Sequence, residues 1–120
     1  YMSTVGTASI PTTGGIRKPA DEDIFNVTCN ATSTVANTFF DGSRVAGLAM
    51  EDVYAASYYE PYNDMYLTIL GTGRIDGHPV TQKDIFRIDL PGHTWGSLVW
   101  HGPDHGWNYN IDAFDYPGGW

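Results

Sequence analysis

The sequence predicts an all-β domain, a small barrel or sandwich, with an extended N-terminal arm and an irregular, aromatic-rich C-terminal tail. Three observations predict it. Runs of β-branched and aromatic residues of strand length recur through the middle of the chain. Turn residues separate those runs roughly every ten positions, and no helical pattern lies between them as βαβ units would require. A chain of 120 residues suits one hydrophobic core. Its expected division is an arm over 1–20, a β core over 21–100 and a tail over 101–120.

Taken in order, residues 1–20 are rich in Ser, Thr, Gly and Pro, with Pro11, Gly14, Gly15 and Pro19 breaking any pattern. Such a segment buries too little apolar surface to order itself, so it reads as an extended arm that is either loose or held by a neighbouring surface. Ile24 to Thr28 and Ser33 to Phe40 read as strands, the second built on Val35, Phe39 and Phe40. Asp41 and Gly42 give a turn signal ahead of the apolar run Arg44 to Met50, which predicts a hairpin. Glu51 to Tyr59 reads as an irregular connection, because Val53, Ala55 and Ala56 suit a helical turn while Tyr58 and Tyr59 prefer a strand. Glu60 to Asp64 is a turn cluster, and Met65 to Leu70 is a compact strand closed by Gly71 and Gly73. Asp76 and Gly77 repeat the turn signal before a strand over Val80 to Leu90, ended by Pro91 and Gly92. Thr94 to Trp100 is the last strand. From His101 onward Trp107, Tyr109, Phe114, Tyr116 and Trp120 carry large apolar area with little regular pattern, so the tail docks on its own body or on a partner.

The charge balance narrows the partners. Fourteen acids against six Lys and Arg give a net charge of −8. The acids are scattered, with Asp21, Glu22 and Asp23 the densest group. Only Arg17 and Lys18 form an adjacent cationic pair, whereas phosphate tracking needs clustered cations, so nucleic-acid binding is disfavoured. Charged residues make up 17% of the chain, too few for disorder driven by charge repulsion. No apolar run is long enough for a membrane helix. No signal-peptide pattern opens the chain. Tyr1 ahead of Met2 reads either as the remnant of a removed segment, which would permit a cleaved secretion signal, or as an extra residue before the natural start. Cys29 is alone, so no intrachain disulfide forms, and its neighbours Thr28 and Asn30 carry no charge. It reads as a buried, inert thiol.

Candidate chemistry centres on the histidines. His93, His101 and His105, with Asp104 and the more distant His78, have the residue types of a metal site. Gly102, Pro103 and Gly106 argue against the helix that would align His101 with His105, so the expectation is no metal and no cofactor. No nucleophile elbow occurs, and no catalytic residue is singled out. Gly71, Thr72 and Gly73 read as a turn rather than a phosphate loop. The triplets starting at Asn26 and Asn30 match the N-glycosylation pattern and are read as coincidence. Two aromatic groups could stack on sugar rings: Tyr54, Tyr58, Tyr59 and Tyr62, and the segment Trp100 to Trp107 near Asn108 and Asn110. Core and subunit contact is the expected use of both.

Arg44 to Ile75 carries a resemblance. Val45, Gly47, Leu48 and Ala49, the acidic and Ala-rich connection Glu51 to Ala56, and the strand and turn Tyr66 to Gly73 resemble the core of the head-decoration (cement) proteins of tailed bacteriophages. The resemblance implies an all-β protein, often trimeric, that clamps capsid subunits from the outside, with its arm adding contacts to the shell. The aromatic tail after His93 has no counterpart in that family.

The expected function is therefore a non-enzymatic structural assembly protein, a capsid decoration protein located on the virion. Its expected partners are major capsid or other assembly subunits and further copies of itself, with no nucleic acid and no membrane. Two alternatives are a secreted, extracellular carbohydrate-binding domain and a small metal-dependent β-barrel enzyme built on His93, His101 and His105.

Overall fold

The computed structural model describes residues 10–12, 15–17, 22–29 and 34–118. Ten strands run in chain order: β1 (Ile10–Thr12), β2 (Gly15–Arg17), β3 (Ile24–Cys29), β4 (Thr34–Phe40), β5 (Val53–Tyr59), β6 (Asp64–Ile69), β7 (Thr72–Ile75), β8 (His78–Thr81), β9 (Asp84–Asp89) and β10 (Thr94–His101). The fold is all-β, and the described residues contain only short 3₁₀ turns besides the strands. The strands form one four-stranded antiparallel sheet, ordered β10-β9-β6-β5, and three two-stranded hairpins, β1-β2, β3-β4 and β7-β8. No closed barrel forms among the described residues, because β5 and β10 lie at opposite ends of the large sheet.

Alternation along the central strands gives that sheet two different faces. Met65, Leu67 and Ile69 on β6, with Phe86 and Ile88 on β9, point to the main core. There they meet Ile24, Phe40, Val45, Leu48, Ile75, Val80 and Leu90 from the β3-β4 and β7-β8 hairpins and the segments around them. The intervening Tyr66 and Ile85 point the other way, into a second cluster with Ile111.

Several expected elements are present. The two strands around Val27 and Val35 pair as β3 and β4, and Asp76 and Gly77, at φ 48° and 82°, make the two-residue turn between β7 and β8. The hairpin expected at Asp41 and Gly42 does not form. Asp41 instead caps a 3₁₀ turn over Gly42–Arg44, accepting from the Ser43 N–H, and a second turn follows over Leu48–Met50. Val45 and Leu48 are buried three residues apart, a spacing that suits turns and not strand alternation.

Glu51 to Tyr59, expected to be irregular, contains β5. A register shift between Val53 and Ala55 interrupts its alternation, which is why the strand pattern is hard to read there. The strand expected over Val80 to Leu90 is divided between β8 and β9. Asp84 turns the chain by accepting the Thr81 N–H at 2.8 Å.

Within the segment expected to be an extended arm, β1 and β2 pair as a short hairpin and β1 lies against β4. Residues 1–9, 13–14 and 18–20 of that segment lie outside the described residues, as do Asn30 and Trp120.

Candidate functional site

The second face of the large sheet is half covered. After β10 the chain makes a 3₁₀ turn over Gly102–His105 and then crosses the sheet without regular structure. Three anchors hold it. The Ile111 N–H donates to the Gln82 carbonyl at 3.0 Å, while the Thr68 hydroxyl donates to the Ile111 carbonyl at 3.2 Å. The Tyr116 N–H donates to the Ser57 hydroxyl oxygen at 3.1 Å, and that hydroxyl donates to Asp115 at 3.2 Å. The Tyr116 ring stacks on Tyr66 with centroids 3.9 Å apart and meets Tyr59 edge-on at 5.3 Å. The tail thus docks on its own β5 and β6.

Toward β10 the same face is only half-covered, with Val99 and Trp100 partly exposed. At one end Ile85, Val99, Trp100 and His105 line an apolar trough of about 530 Å³. Its size falls in the range of small-ligand and side-chain pockets. Next along β9, two residues and about 7 Å away, comes a charged group. Arg87 Nε lies 3.2 Å from Asp89 Oδ1 and 3.8 Å from Asp64 Oδ2, yet it is aimed at neither well enough for a hydrogen bond. Gly96 permits this placement, since a Cβ there would come within 2.5 Å of Arg87 Nε.

Asp64 and Asp89 are directly opposite on neighbouring strands, an unfavourable position for two like charges. Burial pushes the Asp64 carboxyl above its ordinary pKa of 3.8. Arg87 opposes that rise, and the Asp89 charge and a hydrogen bond to Asp89 add to it. A group whose pKa is higher folded than unfolded supports the fold below the unfolded value, and that support is lost as pH rises through the folded value. Asp64→Asn is therefore expected to gain stability relative to the parent as pH rises from about 4 to neutrality, and to gain little below it. Urea unfolding at a series of pH values measures this, and a constant difference across the series contradicts the placement of Asp64.

The histidines do not converge. The His93 ring lies on Phe40 with centroids 5.6 Å apart, its Nδ1 is buried without a partner, and its backbone is left-handed at φ 50°. Burial, reinforced by the Arg44 charge, holds its pKa below the ordinary value. His101 Nδ1 sits 2.6 Å from the buried Asp84 carboxylate. His105 stacks on Trp100 at 3.8 Å and His78 on Trp95 at 4.5 Å. Among the described residues no three His, Cys, Asp or Glu side chains are placed to share a metal ion.

The two aromatic groups are also divided. Tyr58 packs edge-on against Phe39 and Tyr59 joins the tail, while Tyr54 and Tyr62 are exposed. Trp107 and Tyr109 form an exposed edge-on pair with centroids 5.5 Å apart. Asn26 is exposed on β3. The Gly71 and Gly73 pair leads into β7, a strand, as a turn would.

No family model matches this chain, and no curated protein or solved structure matches it either. Function is therefore argued from the site itself. Sequence reasoning passed over Ile85, Arg87 and Asp64 as functional candidates. The available signal was an acid, an apolar residue and a cation placed among strand residues of opposite parity to the core.

Proposed function

We propose that this chain is a non-enzymatic structural assembly domain that works by contact, as a decoration subunit on the outside of a capsid. The observation that supports it is the half-exposed part of the second face, where an apolar trough adjoins β10, whose residues include no Asp, Glu, Lys or Arg. Partner side chains enter such troughs, so that apolar burial gives affinity and the shape of the trough gives selectivity. The resemblance over residues 44–75 points the same way. In this reading residues 1–20 act as an arm on the shell, 21–100 as the contact body and 101–120 as the tail that shapes the trough. The partners are capsid or other assembly subunits, not nucleic acid, in keeping with the net charge of −8.

Co-sedimentation of the purified chain with tailed-phage capsid shells stripped of their outer proteins tests the reading. Saturable binding that weakens tenfold or more in Trp100→Ala supports it. Absence of binding to any shell at micromolar concentration removes it.

One observation favours a second reading, a secreted sugar-binding domain. Trp107 and Tyr109 are 45% and 71% exposed, and Asn108 and Asn110 beside them supply hydroxyl partners. Trp fluorescence titrated with a broad glycan panel decides it, an unchanged spectrum counting against it.

A further inference from the structure

We infer that His93 is an acid-sensitive latch, holding the turn between β9 and β10 against the end of β4 while neutral and letting it go when protonated.

The first observation is the contact itself. Phe40, the last residue of β4, is 1% exposed, and its ring lies parallel to the His93 imidazole, at 2° with centroids 5.6 Å apart. β3 pairs with β4 and β1 lies against it, so this stack ties the β9–β10 turn to the strands that precede the large sheet. His93 also sits at φ 50°, a left-handed conformation that a residue other than Gly keeps only where its surroundings hold it. The Phe40 ring supplies that hold, since the His93 backbone N–H is bonded within its own turn, to the Leu90 carbonyl at 3.3 Å.

The second observation is that the site suits the neutral ring. His93 Nδ1 is buried and has no hydrogen-bond partner. A neutral imidazole tolerates this with its proton on Nε2. An imidazolium carries an N–H on both nitrogens and would leave a buried donor unsatisfied. Burial, the largest cause, and then the Arg44 charge hold the His93 pKa below its ordinary 6.5, while Asp41 and the Leu90 carbonyl oppose them. Arg44 and Asp41 both belong to the 3₁₀ turn that follows Phe40.

The other charged groups around the turn are engaged elsewhere. Glu22 lies against Gly42, and Asp23 accepts the Gly42 N–H at 3.0 Å. Asp89 lies beside Arg87. Two residues beyond His93, Asp76 accepts the Trp95 N–H and His78 stacks on the Trp95 ring. Residues 90–94 themselves include no Asp, Glu, Lys or Arg. A histidine whose pKa is lower folded than unfolded supports the fold above the unfolded value of 6.5, and that support is lost as pH falls through the folded value. The latch is therefore closed at neutrality and opens in mild acid.

NMR titration and amide exchange of the whole chain, with two variants, test the inference. The His93 ring of the parent is expected to titrate below 6.5. The Val45 N–H, bonded to the Gly42 carbonyl beside the latch, is expected to lose protection about threefold or more between about pH 7.5 and 5.5, after correction for the intrinsic exchange rate. His93→Asn accepts the left-handed backbone and is uncharged at both pH values, so its Val45 protection is expected to be lower at neutrality and flat with pH. Arg44→Gln, at an exposed position, keeps the ring and removes the opposing charge. There the His93 midpoint is expected to move up and the loss of protection to shrink. A His93 midpoint at or above 6.5 in the parent, or Val45 protection that falls equally in the parent and in His93→Asn, overturns the inference. Should His93→Asn not fold, the Arg44→Gln titration decides, an unmoved midpoint counting against the latch.

Discussion

Phe86→Ala is expected to cost about 3–5 kcal/mol, the usual range for emptying a large aromatic site in a core. Phe86 is fully buried in β9, flanked by Leu67 on β6 and Leu98 on β10, and its ring stacks on Trp95 at 5.6 Å. The strands on either side are fixed by their own ladders, so the site cannot collapse to fill the space. Domains of this size have total stabilities of about 5–15 kcal/mol, so the variant is expected to sit near unfolding. Urea titration gives the result directly as a fall in midpoint at constant slope. A loss under about 1 kcal/mol would place the centre of the core elsewhere.

Gly47→Ala is the second large effect, expected at about 2–3 kcal/mol from backbone geometry and not from lost apolar area. Gly47 has φ 86°, and a Cβ there would collide with the Arg74 carbonyl oxygen of β7. The two segments are held together beside this point, where the Asp76 N–H donates to the Ala46 carbonyl at 2.7 Å. Alanine must therefore adopt a left-handed conformation and also push β7 away from that bond. Gly71 isolates the two causes, since it has φ 84° with open space around its Cα. Gly71→Ala is expected to cost about 1 kcal/mol, the conformational part alone. Equal losses at both positions would show that the close approach to Arg74 carries no energy.

The all-β class was legible because strand-length runs alternate with turn pairs, and those are local properties. Asp76 and Gly77 act where they stand, through positive φ at both positions, and their turn is found as expected. Asp41 and Gly42 have the same letters and a different fate. The Gly42 N–H is taken by Asp23 Oδ1 at 3.0 Å, nineteen residues away, and no local pattern announces such a partner. The division of the large sheet into a core face and a tail face was partly readable from the parity of Met65, Leu67 and Ile69 against Tyr66 and Thr68. The trough was not. It arises because Ile111 and Tyr116 pack over β5 and β6 and reach Ile85 but leave Val99 and Trp100 of β10 half-exposed, and that depends on where an irregular segment settles.

The tail anchors also bear on how the molecule reaches its native state. Tyr116 is tied to Ser57 and Ile111 to Thr68 across separations of 59 and 43 residues, and the sheet beneath them is itself built from antiparallel pairings. Loops of that length close late, and proteins dominated by distant contacts fold in milliseconds to seconds and not in microseconds. Until closure, Tyr66 and Ile85 face water on a β-sheet, a condition that favours aggregation. Rapid docking of the last segment thus determines how much of the chain escapes aggregation during refolding.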